Sequence, residues 1–270
     1  MSKSIIRPVP TIEPKLLAGP KRDLFHYLLQ SLGHSVGPTV RSELLPRQLE
    51  SCLGGIRAAA NHMKAAQADE LAQQYQQIWE DYIKEAQVLA EDHLHVFFVA
   101  CQIYVTRVVE AVRWFKLHVG ADFGLPECYV DPLRLRALGA KVVGQITIAE
   151  CCWFLGNYAK HNDELELLHN DTLKGLQILG MLDTSGNLVD QPACVGVESV
   201  VGLPIKSPSD LEVALKVMEA RLRAWSDWLE DEIIADLDEH DCGDRTRTRR
   251  ENERWFAIWH PKNGGQGKAN

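Results

Sequence analysis

The sequence lacks a long uninterrupted hydrophobic run. Its longest apolar stretches, residues 96–105 and 142–158, are interrupted by Gln102 and by Gln145 and Glu150. Neither reaches the roughly 20 consecutive apolar residues that a bilayer-spanning helix needs. Residues 1–22 contain four prolines and no apolar segment of signal-peptide length. We therefore expect a cytoplasmic protein that makes no membrane contact.

Several common motifs of catalytic and cofactor sites are also missing. The seven cysteines include no CxxC pair, and the chain has no Walker loop, GxGxxG, GxSxG or HExxH motif. Glu166 and His169 have the ExxH spacing of di-iron bundles, but that design needs two such pairs. His93 lies on an apolar helical stripe, where a core histidine is the more common role. We expect neither a metal nor a cofactor, and a di-metal bundle is the weakest alternative.

The charge balance excludes wholesale coating by nucleic acid. There are 29 basic and 37 acidic residues, which give a net charge of -8. A local basic cluster near the C-terminus is a candidate RNA-binding arm. The alternative is that these arginines neutralise the acidic run at residues 227–241. The cluster consists of Arg245, Arg247, Arg249 and Arg250.

The spacing of apolar residues predicts an all-α fold, a helical bundle with a long central helix at residues 73–118. Further helices are predicted at 21–32, 46–67, 140–160, 164–179 and 209–237, with a small irregular or hairpin insertion near 183–207. Asp163 and Glu166 resemble a capping box for the helix at 164–179. An internal ion pair is expected at Glu110. The predicted organisation is an extended proline-rich segment (1–20), a helical bundle (21–240) and a charged, flexible tail (241–270).

One polar stripe stands out on the predicted helix at 140–160. Glu150, Asn157 and His161 are seven and eleven residues apart, so they share one face of an otherwise apolar helix. Buried polar groups need partners across the bundle or a cavity to line. With Lys160 as a charge stabiliser and His161 as general acid or base, these residues form a candidate site for binding or cleaving a phosphodiester. The alternative is that Asn157 and His161 only hydrogen-bond to a neighbouring helix.

The segment Asn-Tyr-Ala-Lys-His-Asn-Asp-Glu at residues 157–164 resembles helical bacterial proteins of HEPN-like type (higher eukaryote and prokaryote nucleotide-binding). The resemblance spans residues 75–182. It implies an all-helical, commonly dimeric protein, and many such proteins are metal-independent ribonucleases of toxin–antitoxin, abortive-infection or other defence systems. Their motif places an arginine and a polar residue before the histidine, whereas His161 has no arginine at those spacings. A HEPN-like fold with a lost or altered site fits better than an intact nuclease.

Two functions therefore remain open. The first is a HEPN-like protein that binds or cleaves RNA in a bacterial stress or phage-defence system, with Glu150, Asn157, Lys160 and His161 in its catalytic site. The second is a non-catalytic helical module that docks a protein. The expected partners are RNA, a second copy of the chain in a homodimer, and a protein partner such as an antitoxin.

Overall fold

The computed structural model describes residues 38–116, 127–162 and 164–242, and these form a helical bundle. The predicted helix at 21–32, the proline-rich segment, the Asp163 cap and the tail from 243 onward lie outside the described residues. In chain order the α-helices are α1 (Pro38–Ala68), α2 (Glu70–Gln74), α3 (Gln76–Phe115), α4 (Pro132–Ala137), α5 (Ile148–His161), α6 (Asn170–Ile178), α7 (Pro192–Val201) and α8 (Pro208–Cys242). Short 3-10 turns occupy Glu127–Val130 and Leu165–Leu167.

The predicted long central helix is confirmed as α3, which packs along α1 on one side and α5 on another. Its apolar residues fall on several faces, so it is covered by more than one neighbour. The core has its largest fully buried side chains on α3, α5 and α8. These include Phe97, Phe98, Phe115, Tyr158 and Trp225.

By length and composition α3 is also apolar enough to cross a bilayer. Its most apolar 18-residue window has a mean hydropathy of 1.4, and 61% of that window is buried inside the protein. Such burial is what the core helix of a bundle shows when other helices cover it.

The start of α5 differs from the prediction. Residues 141–147 form a two-stranded antiparallel hairpin, β1 (Lys141–Val143) and β2 (Ile146–Thr147), so the helix begins at Ile148 and not near residue 140. A capping box explains this start, because Thr147 accepts from the Glu150 backbone N–H while the Glu150 carboxylate accepts from the Thr147 N–H.

The predicted start of α6 at residue 164 is wrong, because a 3-10 turn occupies Leu165–Leu167 and the helix begins at Asn170 with His169 as its cap. The end of α6 agrees with the prediction. Gly180 takes a left-handed conformation with φ 71°. The Met181 N–H donates to the Leu176 carbonyl and the Gly180 N–H to the Gln177 carbonyl, the two bonds of a Schellman motif.

The insertion near 183–207 contains more helix than its composition suggested. A single bridge joins Leu182 to Leu188, which is the expected small hairpin. The residues that follow form α7, which the prediction missed. Glycine and β-branched residues obscure the helical pattern there, although Pro192 at the start and Gly202 after the end are ordinary helix boundary signals.

The expected internal ion pair at Glu110 is wrong. Glu110 and Arg107 are both exposed on α3, so neither charge needs a buried partner. Arg113 is half-buried, and its Nε donates to the Val130 carbonyl at 2.6 Å. The arginine is thus satisfied by backbone of the segment that follows α3.

Candidate functional site

Glu150, the first residue of the predicted site, lies in the first turn of α5. Its carboxylate belongs to the capping box, and Lys141 Nζ lies 3.8 Å from Glu150 Oε2. A carboxylate at this position also interacts favourably with the positive end of the helix dipole. Glu150 therefore has a complete structural role at the start of the helix.

Asn157 lies in the middle of a polar network between α3, α5 and α6. The Gln102 Nε2 donates to Asn157 Oδ1 at 2.6 Å, and Asn157 Nδ2 donates to Thr172 Oγ1 at 3.1 Å. The Gln102 and Thr172 side chains are buried. Within the described part of the chain, Gln102 Oε1 has no hydrogen-bond partner. The prediction that Asn157 needs partners across the bundle is confirmed, and its partners come from two different helices.

The network lies where the helices approach most closely. A methyl group on Gly156 would collide with the Gln102 side chain, and one on Gly175 of α6 would collide with the Phe154 ring. Glycine at both positions lets α5 sit directly on α3 and α6. The amide of Asn157 is therefore part of the packed interior of the bundle.

Lys160 and His161 occupy the opposite end of α5 from Glu150. Lys160 is exposed and His161 is half-buried. At 1.5 Å per residue, Glu150 and His161 are separated by roughly 16 Å along the helix axis. The structure keeps the four residues on one helix, with Asn157 one turn from His161, but Glu150 is not brought near the others. The candidate RNA-binding arginines, Arg245, Arg247, Arg249 and Arg250, lie outside the described residues.

A pocket of about 380 Å³ lies elsewhere, in the groove between α1 and α3. The two helices run antiparallel here. At one contact, a methyl group on Gly55 would collide with the His93 ring. At the next contact along α1, His62 Nε2 lies 2.9 Å from Glu85 Oε2. Small side chains leave space between these two contacts. They are Ala59, Ala60, Ala86 and Ala90.

The pocket is completed by the starts of α7 and α8. Gln191 and Cys194 line it from α7, and Ser207 and Leu211 line it from the start of α8. Gln191 has φ 50° and ψ 55°, a left-handed conformation that is uncommon for a residue with a side chain. Such backbone conformations are held by their surroundings and occur often at ligand sites.

Glu91 is the acidic residue on the lining. The residue is half-buried, and its Oε1, which is shielded from solvent, has no hydrogen-bond partner among the described residues. Burial, together with the smaller effect of the negative charges of Glu91 and Glu198, raises the pKa of the nearby Cys194 thiol to about 11. The thiol is therefore neutral near pH 7 and is a weak nucleophile.

In the sequence, Glu91 stands in an acidic and histidine-rich stretch of α3, residues 91–95, and nothing there singles it out. The signal for a pocket was the set of alanines recurring on both helices, since small residues at facing positions leave room. That signal is weak, because alanines also allow two helices to pack closely. Whether facing alanines leave a pocket or let the two helices pack closely depends on how the helices are arranged in the fold.

The weakest alternative, a di-metal bundle, gains no support. Glu166 lies in a 3-10 turn and His169 caps α6, so the ExxH pair does not project from one continuous helix. Across 38–116, 127–162 and 164–242, no three His, Cys, Asp or Glu side chains come together as metal ligands. Comparison with known proteins finds no family model, no curated protein and no solved structure that matches this chain.

Proposed function

We propose that this chain is a non-catalytic helical interaction protein that pairs with a second copy of itself. The observation that carries the proposal is the use of the polar stripe on α5. Glu150 caps the helix and Asn157 joins three helices, so two of the four candidate catalytic residues already have structural roles. A catalytic group has to reach the reacting atoms at hydrogen-bond distance, which neither of these side chains is free to do.

An exposed stripe on α3 offers an interaction surface. Leu89, Val96 and Ile103 are seven residues apart, so they follow one line along the helix with a drift of about 20° per step. Val96 is 56% exposed and Ile103 40% exposed, while Leu89 is partly exposed. We call these three residues the outer stripe. Apolar residues at this spacing are typical of helices that pair with another helix.

The charges beside the outer stripe fit a second copy in antiparallel orientation. Glu85 lies eleven residues before Val96 and Arg107 eleven residues after it, and both are exposed, although Glu85 Oε2 also lies 2.9 Å from His62 Nε2 of the same copy. If two α3 helices cross at Val96, Leu89 of one copy faces Ile103 of the other. Glu85 then faces Arg107, which places opposite charges at both ends of the contact.

The oligomeric state tests the pairing. We expect a dimer in sedimentation, and Val96→Glu should convert it to a monomer. Val88→Glu is the matched control, because Val88 is 59% exposed on α3 but about 80° away from Val96 around the helix. Arg107→Glu should weaken the dimer, and adding Glu85→Arg should restore it. A monomeric wild type, or equal effects of the Val88 and Val96 variants, would overturn the pairing.

The RNA-cleaving hypothesis is the second candidate. The observation that favours it is the pair of basic residues, exposed Lys160 and half-buried His161, at the C-terminal end of α5. Purified protein incubated with mixed RNA is expected to leave the RNA intact, as is the His161→Ala variant. Cleavage by the wild type that disappears in His161→Ala would replace the interaction hypothesis with the nuclease hypothesis.

A further inference from the structure

We propose that the pocket between α1 and α3 binds a primary amine that carries an apolar chain, with the ammonium group on Glu91. This inference concerns a different surface from the outer stripe and does not depend on the proposed pairing. It rests on the size of the pocket, on the chemistry of its lining and on the unpartnered oxygen of Glu91.

The size and lining of the pocket suit a small apolar body. Its volume of about 380 Å³ is at the lower end of the range for ligand pockets, about 300–1,000 Å³. Most of the lining is aliphatic, with Ile56, Met63, Ile83, Ile205 and Leu211 around the alanines. A chain of methylene groups would gain roughly 0.8 kcal/mol for each one removed from water.

Glu91 supplies the polar contact that would orient such a ligand. Its buried Oε1 accepts no hydrogen bond in the described part of the protein, and a buried acceptor without a donor is unfavourable. An ammonium group supplies both a donor and the opposite charge, and charge-assisted hydrogen bonds are the stronger class. A quaternary ammonium has no N–H, so a primary amine fits better.

The other charges near the pocket also favour a cation. Lys206 is the basic residue on the lining, but it is exposed and lies beside Asp210, which caps α8 together with Ser207. The pKa of Asp210 is lowered by the hydrogen bond from the Ser207 hydroxyl, by that from the Lys206 N–H and, to a smaller extent, by the Lys206 charge. The positive end of the α7 dipole is the one feature that favours an anion. However, the charges that act on the Cys194 thiol of the same helix are the negative charges of Glu91 and Glu198, which raise its pKa.

Titration calorimetry with octylamine at neutral pH tests the proposal. We expect one octylamine to bind per chain in a saturable manner, and Glu91→Gln to weaken this binding at least tenfold. Asp92→Asn is the matched control, since Asp92 is the next residue on α3, is exposed and does not line the pocket. This variant removes the same charge and should bind octylamine as the wild type does.

Two further ligands identify the source of the affinity. Octan-1-ol has the same chain without the charge, and it should bind more weakly than octylamine and equally to the wild type and Glu91→Gln. Octanoate tests the influence of the α7 dipole and should not bind. Absence of octylamine binding, equal binding by Glu91→Gln, or tighter binding of octanoate would overturn the proposal.

A chemical readout locates the ligand independently of calorimetry. Cys194 lines the same pocket, so bound octylamine should slow its alkylation at alkaline pH, as measured by peptide mass spectrometry. Cys52 is buried on α1 outside the lining and serves as the internal reference. Equal protection of both thiols would indicate a general change in stability and would contradict binding in the pocket.

Discussion

Towards its C-terminal end, helix α3 crosses α5 at a glycine, whereas towards its N-terminal end it leaves a pocket between itself and α1. Both regions place polar side chains below the surface. At the crossing, Asn157 donates one hydrogen bond and accepts another. At the pocket, the Glu91 Oε1 accepts none from the described residues, although Glu91 lines the cavity.

This difference in hydrogen bonding distinguishes a polar side chain that supports the fold from one that is a candidate for binding a ligand. A half-buried amide that joins three helices is explained by the fold, because removing it would leave its partners unsatisfied. Gln102 Oε1 at the crossing also lacks a donor within the described residues, but Gln102 lines no pocket. The fold does not explain a carboxylate that both lacks a donor and lines a pocket. The polar stripe that first suggests a site on α5 is therefore the structural region, and the less conspicuous Glu91 is the stronger candidate for binding.

The largest predicted effect concerns the contact that closes one end of the pocket. Gly55→Ala should lower the free energy of unfolding by about 3 kcal/mol, because its Cβ would collide with the His93 ring. Denaturant unfolding measures this change. Gly54→Ala is the control in the same helix, where nothing lies within 4 Å of the added methyl group.

The control should change stability in the opposite direction. Alanine is favoured over glycine in a helix by about 1 kcal/mol, so Gly54→Ala should stabilise the protein slightly. If both variants destabilise the protein by similar amounts, the close approach of α1 and α3 at Gly55 is contradicted.

The second prediction concerns the network at the crossing. Asn157→Ala should cost about 2 kcal/mol, because it leaves the Gln102 amide and the Thr172 hydroxyl without their partner. Thr172→Val in a double-mutant cycle should show coupling with Asn157. Asn170→Ala, at an exposed position in the first turn of α6, should change stability by less than about 0.5 kcal/mol. Additive effects of the Asn157 and Thr172 variants would contradict the network.

Much of the fold was predictable because helical periodicity is a local property. The long helix α3 and the glycine stop after α6 followed from spacing and from Gly180. The start of α5 was misplaced although Thr147 and Glu150 have the spacing of a capping box just before an apolar run. Helix α7 was missed because glycine and β-branched residues outweighed the signals of Pro192 and Gly202.

The site was less predictable because it depends on contacts between helices. The need of Asn157 for partners followed from its place on an apolar helix. The identity of Gln102 and Thr172 did not, since it depends on the register of α3 and α6 against α5. The pocket likewise depends on whether the alanines of α1 and α3 close together or leave space, and the sequence of either helix is compatible with both.

The third prediction compares the two regions directly by giving them the same substitution. Glu91→Met should raise the free energy of unfolding by up to about 1 kcal/mol, because an apolar side chain replaces an acceptor that lacks a donor. Asn157→Met should lower it by about 1–2 kcal/mol, because two partners lose their hydrogen bonds. Thermal unfolding of both variants measures these changes. A loss of stability in Glu91→Met would show that Glu91 supports the fold, and the contrast between the two regions would then fail.

The smallest predicted effect concerns the ion pair that joins α1 to α8 beside the pocket. Arg57 Nε and Nη2 donate to the two Glu212 carboxylate oxygens at 3.1 and 2.9 Å. The hydrogen bonds from Arg57 lower the pKa of Glu212 below its ordinary value. The pair therefore contributes fully above the pKa that Glu212 has in the unfolded chain, and this contribution is lost as the pH falls through the lower folded-state value.

Glu212→Gln should consequently lower the Tm slightly at neutral pH, and the difference from the wild type should shrink as the solution becomes acidic. Added salt should also reduce the difference at neutral pH, because the Arg57 side chain is 51% exposed and exposed pairs are screened. Glu110→Gln, at an exposed position of α3, is a control whose pH profile should not follow this one. A difference between Glu212→Gln and the wild type that persists at acid pH would mean that the carboxylate acts through packing and not through its charge, and α1 and α8 would then be held together at the pocket by apolar contacts alone.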